Sequence, residues 1–251
     1  MFNFYSRGTV PINFYSRNTV TLTVLELPFT GTQGDTTTDD VSGFNNILTA
    51  NGTVFIDTAG GFISSPTTSY FGSDGGDSTG GGKNYWEVAG STVFNFVTNA
   101  FGFSFYAKWE REHVGFDEFL TWEQGPTNFV QFYFLKGTGT AGVLRFVYRS
   151  DINPTTQIQA SVTWHPNPND WYYIELTKVL NEYSFLVTDV TLGSPVLFSV
   201  VTNSGNVSGA STAVGCKIGT NSPGSPNRQF QGWMDDLTII TTVSRDINFY
   251  G

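Results

Sequence analysis

Apolar side chains recur at every second position through most of this chain, and no stretch carries the 3.6-residue period of an amphipathic helix. In Phe101-Gly-Phe-Ser-Phe-Tyr-Ala-Lys-Trp109, the side chains of Phe101, Phe103, Phe105, Ala107 and Trp109 share one face. Leu144, Phe146 and Tyr148 form a second stripe, with Arg145 and Arg149 opposite. Tyr183, Phe185 and Val187 form a third. Period two means strands with one face buried, and such strands need a second sheet to bury that face against. Turn signals separate the runs: Gly72 to Gly82, Lys136 to Gly142, Asp151 to Pro154, His165 to Asp170 and Asn221 to Pro226. Strands this regular and this short predict an all-β, two-sheet antiparallel sandwich over residues 22–241. No composition break divides that span. Residues 1–21 read as an extended arm before it, and 242–251 as a tail.

Composition narrows the partners. The net charge is −9, so a general nucleic-acid or anionic-membrane surface is excluded as the chain's main business, because both need concentrated Lys and Arg. Charged residues make up 13% of the chain, which fits either a surface partly covered by other subunits or one coated in Ser, Thr and Asn. Cys216 is the single cysteine, so no internal disulfide can form, and a small buried hydrophobe is its simplest role. The N-terminus has no basic segment followed by an apolar run, so no Sec-type signal is expected. No run reaches transmembrane length either.

An eight-residue phrase occurs twice at the start. Asn3-Phe-Tyr-Ser-Arg-Gly-Thr-Val10 returns as Asn13-Phe-Tyr-Ser-Arg-Asn-Thr-Val20, and Ile247-Asn-Phe-Tyr250 echoes Ile12-Asn-Phe-Tyr15. Units this short cannot build a solenoid. Aromatics and arginine dominate interface hot spots, so Phe4, Tyr5, Arg7, Phe14, Tyr15 and Arg17 are predicted anchoring residues. Their Thr-Val segments suit strand addition to a partner's sheet edge, and two linked copies raise the effective concentration. The alternative is a hairpin packed on the chain's own sandwich.

Several separated segments resemble, in order, the laminin-G-like jelly-roll branch of the concanavalin A-like lectin/glucanase superfamily. They are Leu27-Pro-Phe-Thr-Gly31, Ser42-Gly43 with Asn45 to Gly52, Phe101 to Lys108, Trp171 to Lys178 and Phe230 to Ile239. The resemblance covers roughly residues 22–241 and implies a concanavalin A-like jelly roll. It does not by itself set the function. It also implies that Ca²⁺ can be held on loops at the sandwich ends, with Asp35, Asp39, Asp40, Asp74 and Asp77 as the candidate ligands. No cofactor is required. The carboxylate of the family's Phe-Asp-Gly motif is replaced here by Thr30. Asp235 and Asp236 match its paired aspartates and are expected to hydrogen-bond around the closing strand.

Catalysis is not expected. Glycoside hydrolysis needs two carboxylates flanking the bond, and the nearest approach is Asp117-Glu-Phe-Leu-Thr-Trp-Glu123. In a regular strand Glu118 and Glu123, five apart, would face opposite sides. His113 and His165 accompany no recognisable nucleophile motif. Glycan binding commonly uses an exposed aromatic platform with polar neighbours. Trp86, and Trp164 with His165, are the candidates, against plain rim packing; Trp109 and Trp171 sit in strand positions that predict core.

An adhesion-type fold with neither export signal nor disulfide points to a particle assembled in a host cytoplasm and released by lysis. The expectation is a virion structural surface protein, as a fibre, appendage or capsid-decoration subunit. Its arm (residues 1–20) would bind other virion proteins and its jelly roll would face outward to a cell-surface glycan. A homo-oligomer is expected, with neither nucleic acid nor membrane as partner. A free carbohydrate-binding module is the alternative, and a glycoside hydrolase of the same fold ranks third.

Overall fold

The computed structural model describes residues 19–60, 66–72, 84–90, 94, 100–112, 115–125, 128–136, 142–149, 157–203, 215–220 and 228–244. Among the described residues there are strands and turns but no helix. The strands are β1 (Thr19–Leu27), β2 (Leu48–Asn51), β3 (Val54–Asp57), β4 (Thr68–Phe71), β5 (Tyr85–Val88), β6 (Phe101–Trp109), β7 (Gly115–Gly125) and β8 (Asn128–Lys136). They continue with β9 (Val143–Arg149), β10 (Gln157–Thr163), β11 (Trp171–Val179), β12 (Glu182–Asp189), β13 (Ser194–Thr202), β14 (Cys216–Ile218) and β15 (Gly232–Ser244).

They form two antiparallel sheets. The first runs β13-β12-β11-β6-β15-β4-β3, with β1 also paired to β15; the second runs β10-β9-β8-β7-β14-β5-β2. β15 is long enough to pair with β4 through Gly232–Met234 and with β1 from Leu237 onward, while β6 flanks it on the other side. β1 starts at Thr19 and β15 ends at Ser244. The strands therefore extend three residues past each expected boundary of the sandwich.

The inward stripes predicted from the sequence meet between the sheets. Phe103 of β6 lies 5.7 Å from Trp122 and 6.1 Å from Phe132 across the interface. Phe101 lies 5.4 Å from Phe146, and Phe105 5.0 Å from Phe119. Each fully buried ring contributes about 1.5–3 kcal/mol relative to exposure. Cys216 is buried in the same core. Trp109 is a core residue as expected. Trp171 is buried as well, but on the outer side of the first sheet, where it clusters with Tyr106 and Tyr173.

Gly232 shows why the closing strand begins as it does. Its φ is +146°, and a Cβ there would stand 2.0 Å from the carbonyl oxygen of Lys108. The backbones approach too closely for any side chain. Farther along, β15 bulges between Asp235 and Thr238, with Asp236 at φ 48° and its N–H donating to Asp235 Oδ1 at 2.9 Å. The paired aspartates thus serve a bulge, which agrees with the hydrogen-bonding role expected of them.

Candidate functional site

The segment Trp164–Asp170, between β10 and β11, builds one rim of a cleft at an end of the sandwich. Backbone bonds fix it: Trp164 N–H donates to Gly142 O at 3.0 Å, and Asn169 N–H to Trp109 O at 2.8 Å. Asn167 N–H donates to the Tyr172 hydroxyl at 2.9 Å. These bonds turn Trp164 inward. Its ring meets Trp109 at 5.7 Å, Tyr172 at 5.1 Å and Phe134 at 5.8 Å, all edge to face. Trp164 is therefore a wall of the core, and the expectation that it forms an open sugar platform is corrected.

The next residue turns outward. His165 keeps 40% of its side chain exposed, with Nε2 at 3.4 Å from Glu112 Oε1 and 3.5 Å from Lys136 Nζ. Glu112 and Lys136 are themselves an ion pair. Burial, and then the Lys136 charge, hold the imidazole below its ordinary pKa, so at pH 7 it is neutral and can both donate and accept. Asp117 lines the same cleft, its Oδ2 accepting the Trp109 indole N–H at 2.9 Å. Arg111, Pro166 and Pro168 complete the lining of this narrow, solvent-open cleft.

Trp86 is also corrected as a platform. It is fully buried, with its indole N–H donating to Ser69 Oγ at 2.7 Å. Its place on the short strand β5, facing the core, gave no sequence signal distinct from that of an exposed rim tryptophan.

Asp35, Asp39 and Asp40 do not come together as a ligand cluster. Among the described residues no group of three or more His, Cys, Asp and Glu is placed to hold a metal. Asp35 caps a turn, accepting the Thr32 N–H at 2.7 Å, which also lowers its pKa. Asp39 is exposed. Asp40 is buried, and both its oxygens are filled by protein donors from Glu26, Ser42 and Asn46. Asp35 and Asp40 are thus engaged in holding their own loop. Asp74 and Asp77, and the anchoring residues Phe4, Tyr5, Arg7, Phe14, Tyr15 and Arg17, lie outside the described residues.

The structure also revises the carboxylate geometry on β7. Glu118 pairs with Tyr133, Thr121 with Gln131 and Glu123 with Phe129, because the ladder shifts at Phe119. This bulge places Glu118 and Glu123 on the same outer face, which a regular strand would not. Phe119 turns into the core instead. Glu118 is fully buried, and burial raises its pKa well above the carboxylate range. Arg228, with Nη1 at 3.6 Å, opposes that rise, and Glu123 adds to it. The backbones of Glu118 and Glu123 are four partner residues apart, about 14 Å along the strand, while the Glu123 charge still acts on the Glu118 carboxyl.

No protein-family model matches the chain, and no curated protein is similar to it in sequence. Solved structures do share the fold. The binding domain of botulinum neurotoxin DC, solved with rat synaptotagmin II, aligns with a TM-score of 0.56 at 15% identity. That match covers 86% of this chain and 47% of the other, so the chain spans about half the length of that domain. Domain 4 of AbnA, a GH43 extracellular arabinanase from Geobacillus stearothermophilus solved with arabinotriose, gives 0.56 at 14% identity. There the match covers 88% of this chain and 92% of the other. At these identities the likeness is one of fold: an all-β, jelly-roll-like sandwich.

Proposed function

We propose that this chain is a non-catalytic glycan-recognition module. The observation that carries the reading is the end cleft, where His165, Lys136 and Glu112 offer donors and acceptors above the buried, edge-to-face Trp109–Trp164–Phe134 cluster. Sugar hydroxyls need such paired polar groups on a rigid base. Domain 4 of AbnA was solved with arabinotriose, which supports the reading, since that match is nearly end to end. Isothermal titration against a panel of neutral and acidic oligosaccharides tests it. His165→Ala and Lys136→Ala should each weaken binding of the best ligand about tenfold, about 1.4 kcal/mol, without changing the melting temperature. Binding unaffected by both variants, or absent across the panel, overturns the reading.

The repeated Phe-Tyr-Ser-Arg arm favours a setting for this module: a homo-oligomeric surface subunit of a virion, assembled in a host cytoplasm and anchored to other virion proteins by residues 1–20. A free carbohydrate-binding module has no use for such a repeat. Incorporation of full-length and truncated protein into particles separates the two.

A further inference from the structure

The last strand of a sheet exposes a row of backbone hydrogen-bonding groups, which natural proteins blunt with charges, proline or a short strand. β13 ends the first sheet, and among the described residues it pairs with β12 alone. It is nine residues long, Ser-Pro-Val-Leu-Phe-Ser-Val-Val-Thr, and carries no charge in a chain whose net charge is −9. Pro195 and the register shift opposite it disturb only the first part of the strand. From Leu197 to Thr202 the ladder is regular.

Register decides which backbone groups face outward. Asn203 N–H donates to Asn181 O at 2.9 Å, one step beyond the Thr202↔Glu182 pair. Opposed residues in an antiparallel ladder alternate between bonded and non-bonded pairs. Leu197, Ser199 and Val201 therefore direct their N–H and C=O groups to β12, while Phe198 and Val200 aim theirs at the open edge. The side chains alternate as well. Leu197 and Val201 pack on the core between the sheets. Phe198 and Val200, on the outer side, are 68% and 48% exposed, and Val196 beside them is 43% exposed. Leu186, paired with Phe198 and partly buried, extends this apolar strip onto β12.

We propose that β13 is an interface between two copies of this chain, pairing antiparallel with β13 of the second copy about a two-fold axis at Ser199. The two first sheets then join into one. The regular part of β13 is self-complementary about that point. Phe198 opposes Val200 of the second copy, and Val200 opposes its Phe198, giving two aromatic-on-β-branched pairs on the outer face. The same two residues exchange the N–H and C=O groups that face the open edge. Leu197 opposes Val201 on the inner face, and Ser199 meets its own mate. Acidic chains repel one another, and β13 is a strand where two copies meet without opposing like charges. One strand per copy makes a small interface, at or below about 1,200 Å² in total, so the dimer is concentration-dependent and gains from any tethering. It supplies the contact for the homo-oligomer of the proposed setting and does not rest on the glycan reading.

Analytical ultracentrifugation of the full chain from about 1 μM to 1 mM tests it. Monomer should give way to dimer across that range. Phe198→Lys and Val200→Lys should each raise the dissociation constant at least tenfold at an unchanged melting temperature, because both side chains are exposed. Ser199→Cys, at the axis, should cross-link into a disulfide dimer on mild oxidation. Opposed Cα atoms of a non-bonded pair lie about 4.5 Å apart, within the roughly 4.4–6.8 Å that a disulfide spans. Cys216 is buried, so the wild type should give no such product. Changing Phe4 and Tyr5 to Ala should leave the dimer intact. Monomer at every concentration, wild-type association in both Lys variants, or no cross-link through Ser199→Cys overturns the proposal. Association lost with Phe4 and Tyr5 but kept in Phe198→Lys would assign it to the arm instead. Oligosaccharide affinity should be the same in Phe198→Lys as in wild type, so failure of the glycan reading and failure of this interface show separately.

Discussion

Asn46 Nδ2 donates to Asp40 Oδ2 at 2.7 Å and to the Val24 carbonyl at 2.8 Å, so one amide ties the loop after β1 both to its central carboxylate and to β1 itself. The other Asp40 oxygen accepts the Glu26 and Ser42 N–H groups, each at 2.9 Å. Replacing Asp40 with Ala strands these donors in a buried place. A loss of about 3 kcal/mol or more is expected from urea unfolding, since hydrogen bonds to a charged group contribute ~1.5–3 kcal/mol each. Burial alone would raise the Asp40 pKa, but the N–H groups of Asn46, Glu26 and Ser42 outweigh it and hold the pKa below 3.8. The stabilisation is therefore present above pH about 3.8 and is lost as pH falls through the lower folded value. An Asp40→Asn protein with the wild-type acid-unfolding profile would contradict this.

Two other acids act in the opposite direction. Burial, with help from neighbouring Asp236, pushes Asp235 up to about 8, and Glu118 is raised by burial as well. A raised folded pKa gives stability that is complete below the unfolded value and fades as pH climbs through the folded one. Between pH 4 and 8 the wild-type melting temperature should therefore fall relative to Asp235→Asn. Glu118→Gln should show the same trend, with curves that meet near pH 4 and separate toward pH 8. Parallel curves across that range would show that neither carboxyl group is neutral in the fold.

Much of this was legible because period two is a local property. The stripes Phe101–Trp109, Leu144–Tyr148 and Tyr183–Val187 gave strands and their buried faces, and put Arg145 and Arg149 on the side away from the core. What stayed hidden depends on register. A single extra residue, Phe119, moves Glu123 to the face of Glu118, and nothing in Asp117–Glu123 announces a bulge. The tryptophans failed for a related reason. Trp86 and Trp164 look alike in sequence to exposed rim residues, but their direction is set by Ser69 and Gly142, which are far from them along the chain.

That contrast between buried tryptophan and exposed histidine is itself measurable. Trp86→Phe keeps an aromatic ring but leaves Ser69 Oγ without its indole donor, so it should cost about 1–3 kcal/mol of stability and leave glycan affinity unchanged. His165→Ala should do the reverse. Chemical denaturation and titration on the same two variants decide the matter. A Trp86 variant that keeps its stability and loses binding would restore the platform role that the structure takes from it.

The arm prediction follows from where the sandwich begins. β1 pairs with β15 from Thr19↔Ser244 through Leu27↔Leu237, so removing residues 1–18 leaves that ladder whole. The truncated protein should melt close to wild type and, under the proposed anchoring, fail to join a particle or oligomer. Each copy of the repeat offers two rings worth roughly 1.5–3 kcal/mol apiece when buried in a partner. Ordering eight residues costs about 1–2 kcal/mol per residue for backbone alone. One copy is therefore a weak ligand, and linkage makes two copies a strong one, by a factor of about 100 or more. Changing Phe4 and Tyr5 to Ala should weaken attachment by roughly that factor, and changing Phe14 and Tyr15 as well should abolish it. If the truncated chain instead loses its melting transition, the repeat belongs to the sandwich and anchoring through it is wrong.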